Sequence, residues 1–396
     1  MDDQQQTPFA AVTPDAPVQA SGRNRRRVAI LAATALVAGV CGVGAGYAVG
    51  NGAVGSSPAT ASSGTRSTPG SGDEGRVTAP VQPYDGPFAG RGQRSEATTR
   101  ASASQLTGLV RIVTTMKYAG ARAAGTGMVL TSDGQVVTNH HVVEGATSIS
   151  VKVMTTGRTY VATVVGTDAE DDVAVLQLTG ASGLSTVTVD TDGVSVGDDV
   201  IAVGDANGTV SHLSAAPGEV LALHQSITTQ SERTAEAERL TGMIKISSDV
   251  VSGDSGGATY DEDGEVVGMT TAASSGGVDI DGYAVPIATV LSVAEDLENG
   301  VTGPEYDYGR PAFLGVALGG AGTTVVGVYE GTPAATVGIR AGDRITKVGT
   351  THVRTPTQLH NAIADLSPGD TVGLSWSDSA GTAHTTTVTL ATGPVE

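Results

Sequence analysis

Ser255 stands in the run Gly253-Asp254-Ser255-Gly256-Gly257, a pattern in which a glycine-flanked hydroxyl can do covalent chemistry. Glycine lets the backbone come close to a substrate carbonyl, so the amides of Gly253 and Ser255 can hold a developing oxyanion while the hydroxyl attacks. A serine hydroxyl is a poor nucleophile until a base takes its proton. The pattern therefore requires a histidine and an orienting carboxylate elsewhere in the chain. The chain has 55 glycines, so the bland alternative is an ordinary serine in a Gly-rich turn.

Of the seven histidines, His140 and His141 are adjacent and close the patterned stretch 125–143, where a strand gives way to a turn. His212, His224, His352, His360 and His384 lie in less patterned surroundings. Either member of the pair can supply the base. For the carboxylate, Val164-Val165-Gly166-Thr167-Asp168-Ala169-Glu170-Asp171-Asp172 leads into the apolar run Val173-Ala174-Val175-Leu176. An acid on the lip of a buried strand is well placed to be held against an imidazole, and Asp172 is nearer that lip than Asp168 or Asp171.

These residues must be positioned by strands. Aromatic residues make up only 3% of the chain against 39% hydrophobic, so the cores are built from Val, Ile, Leu and Ala, which with abundant Gly and Thr favours a mostly β protein. Asp133-Gly134 between alternating apolar residues signals a hairpin, and Asp133-Gly134-Gln135-Val136-Val137 is echoed by Asp263-Gly264-Glu265-Val266-Val267. Two such units point to a duplicated barrel with the site between its halves. Residues 204–242 look like an inserted surface loop with one short charged helix at 231–239. Ile287, Val290, Leu291, Ala294 and Leu297 recur at helical spacing and Gly300 ends that helix.

The first hundred residues read differently. A polar tail at 1–27 ends in Arg23, Arg25, Arg26 and Arg27. The uncharged stretch 28–50 is then long enough to cross a bilayer as a transmembrane helix, with the N-terminus cytoplasmic and the remainder extracytoplasmic. A cleaved signal peptide is the alternative, and an uncleaved anchor is favoured. Residues 51–104 have the composition of a disordered linker. The lone cysteine, Cys41, excludes an intramolecular disulfide, and a formal net charge of −19 argues against nucleic acid as a partner.

The order Thr138-Asn139-His140-His141-Val142-Val143, then Asp172-Val173-Ala174-Val175-Leu176, then the glycine-flanked serine resembles the HtrA family of PDZ serine proteases over about residues 105–392. The resemblance implies a trypsin-like double β-barrel at 105–300 followed by one PDZ domain at 311–392. It assigns the base to His141, the carboxylate to Asp172 and the nucleophile to Ser255, with Gly253 and Ser255 as oxyanion donors. It implies a serine endopeptidase acting on extracytoplasmic, unfolded or misfolded polypeptides, with no metal or organic cofactor and a homotrimer as the expected assembly. A PDZ-bearing scaffold or holding chaperone with negligible turnover is the rival.

Asp249 falls six residues before Ser255, at the pocket base that attracts Lys or Arg in trypsin, whereas the HtrA pattern carries its acid at the place of Ser247 and favours aliphatic side chains. Thr270, Thr271, Ala272 and Ala273 are expected to line the substrate pocket, which with Val250 and Val251 would be small and apolar. In the C-terminal unit, Phe313-Leu314-Gly315-Val316 resembles the carboxylate-binding loop of PDZ domains, and Thr355-Pro356 starts a helix carrying Leu359 and Ile363. Those six residues are the expected site for C-terminal peptides. The tail Gly393-Pro394-Val395-Glu396 gives no sign of self-capture.

Overall fold

The computed structural model describes residues 98–208, 212–230, 237–273 and 282–396. The expected tail, the anchor at 28–50 and the linker up to residue 97 lie outside these. Among the described residues no helix is long and apolar enough to cross a membrane.

Along Leu109–Met116 and Thr159–Asp168, β-branched residues alternate with polar ones, so one face of each strand is buried and the other is more open. Such strands need partners on both sides. Leu109–Met116 pairs with Ala121–Val129, then Gln135–Thr138, Val173–Leu178, Thr159–Asp168 and Ser148–Val153 follow, and the last returns to Leu109–Met116. The second ring runs Asp199–Gly204, Ser214–Gln230, Ala237–Ile246, Gly282–Pro286, Val266–Ala273 and Ala258–Tyr260, and closes on Asp199–Gly204. Closure leaves no unpaired edge in either barrel.

Both rings connect their strands in the same order, so the molecule carries a trypsin-like double barrel. The echoed segments are not the trace of that duplication, however. Asp133-Gly134 joins the second and third strands of the first barrel, whereas Asp263-Gly264 joins the fourth and fifth of the second. Both are tight Asp-Gly turns, and turn chemistry alone accounts for the likeness.

Two further expectations are corrected. Ser214–Gln230 and Ala237–Ile246 are paired strands rather than a loop with a helix, because their alternating residues complete the second barrel; residues 231–236 lie outside the described ones. The linker also ends before Ser104, since Thr99 and Arg100 pair with Ala215 and Ser214, and Ala101 is buried beside them.

One apolar cluster spans the two barrels, joining Leu109, Met128, Val137 and Val173 to Val203, Leu213, Met269 and Val285. The helix Ile287–Glu298 buries Ile287, Val290, Ala294 and Leu297 in it. The C-terminal domain has its own core around Leu314, Ile345, Leu359, Leu374 and Trp376. Its sheet runs Val316–Gly319, Thr324–Val328, Arg344–Val348, Thr371–Ser377 and Ala383–Thr389, flanked by the helices Pro333–Thr336 and Pro356–Ala364. Thr355 caps the second helix by accepting the Gln358 amide at 3.2 Å, and Pro356 needs no amide partner there.

Candidate active site

The strand Gln135–Thr138 gives way at Asn139 to the short helix His140–Val143. His141 Nδ1 lies 2.9 Å from Asp172 Oδ2 and 3.0 Å from Oδ1, and the His141 amide donates to Oδ1 at 3.1 Å. With Nδ1–H spent on the carboxylate, Nε2 is the nitrogen that can take a proton. The Asp172 side chain is 2% exposed against 34% for His141, so the pair runs from the interior to the open cleft. Burial alone would raise the Asp172 carboxyl. The His141 imidazole and the hydrogen bonds from His141 and Thr271 outweigh it and hold that carboxyl below the usual range.

Asp172 sits immediately before Val173–Leu178 at φ 54, a left-handed conformation costly for a residue with a Cβ. It is fixed there by Asn139, whose Nδ2 donates to the Asp172 carbonyl at 3.0 Å. The other candidate acids turn elsewhere. Asp168 accepts the amides of Glu170 and Asp171, and burial pushes the carboxyls of Asp168 and Asp171 upward. His140 is buried with its Nε2 3.2 Å from the main-chain oxygen of Glu396, away from Asp172.

Ser255 reaches the cleft from the second barrel, on the loop before Ala258–Tyr260. Gly253 has φ 99, and a Cβ there would stand 2.2 Å from the Asp205 carbonyl, so only glycine fits. Among the described residues the Gly253 and Ser255 amides donate to no protein acceptor, which leaves both for an incoming oxyanion. The Ser255 hydroxyl donates to the Thr271 carbonyl at 2.8 Å. Asp254, beneath it, is 5% exposed; its Oδ2 accepts the Val251 amide at 3.0 Å and its Oδ1 has no partner. Burial first, then the charges of Asp205 and Asp249, push its carboxyl up to about 7.

The expected pocket residues divide. Asp249 is half-buried and near enough to act on Asp254. Thr270 does not line the pocket: its hydroxyl turns inward to Thr259 Oγ1 at 3.0 Å. Thr271 is likewise drawn from the pocket, donating its hydroxyl to Asp172 Oδ2. The side chains of Ala272 and Ala273 lie outside the described residues. In the C-terminal domain, Phe313, Leu314, Gly315, Val316, Leu359 and Ile363 all line one cavity of about 190 Å³. Gly315 has φ +87 and would place a Cβ 2.3 Å from Thr332, so the loop tolerates no side chain there. The Phe313 ring also packs 5.0 Å from that of Tyr118 on the first barrel.

Residues 125–269 match the trypsin-like peptidase domain family and residues 295–377 the PDZ domain family. The serine protease Do-like HtrA of Lactococcus lactis subsp. cremoris (strain MG1363) is 30% identical over 297 residues, covering 65% of this chain and 70% of that protein. The chain belongs to the HtrA family of serine proteases. The periplasmic pH-dependent serine endoprotease DegQ of Escherichia coli (strain K12) is 31% identical over 265 residues, 63% of this chain and 55% of DegQ. The chain thus spans little more than half the length of that relative. A solved HtrA-type protease, AlgWS227A with decapeptide, has a TM-score of 0.43 at 22% identity, covering 74% of this chain and 98% of that one, a likeness too loose to add to the assignment.

One threonine of this HtrA chain, Thr126, went unread as a site residue in the sequence, and Thr271 was read there only as a pocket residue. Thr126, wholly buried, donates its amide to the Ser255 carbonyl at 2.8 Å and its hydroxyl to the Gly253 carbonyl at 3.0 Å. Its hydroxyl also accepts the Asp205 amide at 2.9 Å, so one first-barrel side chain clamps the loop that carries the serine. Thr271 joins the same loop to Asp172 through its carbonyl and its hydroxyl. The Gly125-Thr126-Gly127 run was a visible signal, since small flanking residues allow the close approach of a second chain segment. Away from the cleft, carboxylate oxygens of Asp190, Asp261 and Glu265 lie within 4.8 Å of one another and could hold a cation.

Proposed function

We propose that this HtrA-family chain cleaves peptide bonds as a serine endopeptidase using His141, Asp172 and Ser255. Ser255 Oγ attacks the scissile carbonyl while His141 Nε2 takes its proton and then gives it to the leaving amine. Water reverses the sequence on the resulting ester. Asp172 fixes the tautomer and stabilises the imidazolium, and the amides of Gly253 and Ser255 receive the oxyanion. The observation that carries this is the 2.9 Å contact between His141 Nδ1 and buried Asp172 in the cleft that Ser255 enters from the second barrel.

The substrates proposed are unfolded or misfolded polypeptides outside the cytoplasm, with the PDZ domain taking free C-termini in the cavity beside Gly315. The arginines ahead of residues 28–50 support a membrane-anchored enzyme and the periplasmic naming of DegQ an extracytoplasmic one, and the family resemblance carries the proposal of a trimer. Labelling of the full chain by a fluorophosphonate, lost in Ser255→Ala together with hydrolysis of unfolded casein, tests the proposal. Hydrolysis that persists in Ser255→Ala would refute it.

A further inference from the structure

The loop 247–255 leaves the strand Ala237–Ile246 and meets the strand Val266–Ala273 again only at the nucleophile. There the Gly256 amide donates to the Thr270 carbonyl at 2.8 Å, and the Ser255 hydroxyl to the Thr271 carbonyl at 2.8 Å. Ile246, Gly282 and Ala273 lie side by side on three neighbouring strands, yet among the described residues 247–254 make no backbone hydrogen bond to 271–273. A slot is therefore left between the loop and the end of that strand, with Ser255 at one end and the turn 248–250 at the other. In that turn the Val250 amide donates to the Ser248 carbonyl at 2.9 Å, which puts Asp249 at the apex. Both its neighbours are taken by the barrel. Ser248 is wholly buried against Gly218, and Val250, expected as a wall of a small apolar pocket, is buried in the core with Ile246 and Ala284. Asp249 turns the other way, half-buried and close enough to the Asp254 carboxyl beside Ser255 to act on it.

We propose that Asp249 at the apex of this turn determines specificity, and that the chain cuts polypeptides after arginine or lysine. The inference rests on the proteolytic reading above and names its substrate class. Among the described residues the Asp249 carboxylate makes no hydrogen bond and no ion pair. The nearby Arg111 guanidinium is committed to Asp205 and to the Gly208 carbonyl. A half-buried carboxylate beside a second carboxyl is costly without a cation, and a guanidinium or ammonium brought in by the substrate removes that cost. An aliphatic side chain in the same place deepens the burial of the carboxylate and supplies no partner for it. Ser247, where the family resemblance expects an acid, contributes no charge, and its hydroxyl accepts the Glu219 amide at 2.8 Å. With Val250 turned into the core, the slot keeps a carboxylate at its far end where an apolar floor was expected. A long cationic side chain beside the carbonyl that Ser255 attacks is what such a slot selects.

The test uses the full chain and quenched-fluorescence peptides that differ only in the residue before the cut, Arg, Lys, Leu or Val, with the cut site read by mass spectrometry. The parent is expected to favour Arg and Lys over Leu at least tenfold in kcat/KM, and Asp249→Asn to bring that ratio to one or below. Asp249→Glu, which keeps the charge, should still prefer Arg. In the inactive Ser255→Ala background the fluorescent cation p-aminobenzamidine should bind, and adding Asp249→Asn should weaken it at least tenfold. That readout needs no turnover. A preference for Leu or Val in the parent, a ratio that Asp249→Asn leaves unmoved, or equal amidine binding with and without the Asp249 charge would overturn the assignment. If the parent cuts no peptide at all, the endopeptidase proposal fails, while amidine binding still decides whether Asp249 holds a cation.

Discussion

Replacing Thr126 by Val keeps the shape of a wholly buried side chain and removes only its hydroxyl. That hydroxyl donates to the Gly253 carbonyl and accepts the Asp205 amide, and in Thr126→Val a methyl group takes its place at a site with no exposure to solvent. Each buried backbone group left without a partner costs about 1–3 kcal/mol, and partial relaxation brings the pair to about 2–4 kcal/mol. For a domain of this size that is roughly a 4–16 °C drop in melting temperature. Relaxation of the loop also misplaces the Gly253 amide, and loss of one oxyanion donor costs about 10²–10³ in kcat. The assay is the rate of fluorophosphonate labelling beside a thermal melt, with Thr126→Ser as the control that keeps both hydrogen bonds. Parent-rate labelling in Thr126→Val, or a slow rate in Thr126→Ser, would refute the clamp.

His141→Ala should abolish hydrolysis, whereas His140→Asn should stay within about tenfold of the parent, because only His141 meets Asp172; casein hydrolysis by the two variants checks it. Asp172→Asn should lower kcat by about 10⁴ by presenting the wrong tautomer, measured by steady-state kinetics on a peptide substrate. Asp254 ionises at about 7 when folded and near the ordinary aspartate value of 3.8 when unfolded, so the folded chain holds an extra proton between those values. Its contribution to stability falls as pH rises from about 4 to about 7 and is level above that. Melting curves of Asp254→Asn against the parent should show that part of the slope removed, and unchanged slopes would contradict it.

The proposed triad could be singled out in the sequence through the glycines around Ser255, the acid on the lip of Val173–Leu178 and, by the family resemblance, the aliphatics after His141. What those marks do not encode is how the barrels dock. Thr126 and Thr271 are two among many threonines in strands, and their roles arise only when segments far apart in sequence meet at Ser255. Thr270 shows the same limit from the other side, since one step along a strand turns its hydroxyl to Thr259 instead of the pocket. The stretch 204–242 looked like an inserted loop because Gly, Pro and charged residues interrupt its alternation, and the pairing of Ser214–Gln230 with Asp199–Gly204 and Ala237–Ile246 shows only when the barrel closes. Val395 looked like part of a polar tail because a single apolar residue gains its meaning from the cavity it fills, here in the first barrel.

The central claim is that Ser255 is a nucleophile activated by His141 and held ready where the two barrels meet. Mass spectrometry of the full chain after fluorophosphonate treatment tests it most directly. The account predicts one adduct, on Ser255, formed faster as His141 loses its proton and absent in His141→Ala. An adduct on another serine, or labelling of Ser255 at the same rate in His141→Ala, would contradict it.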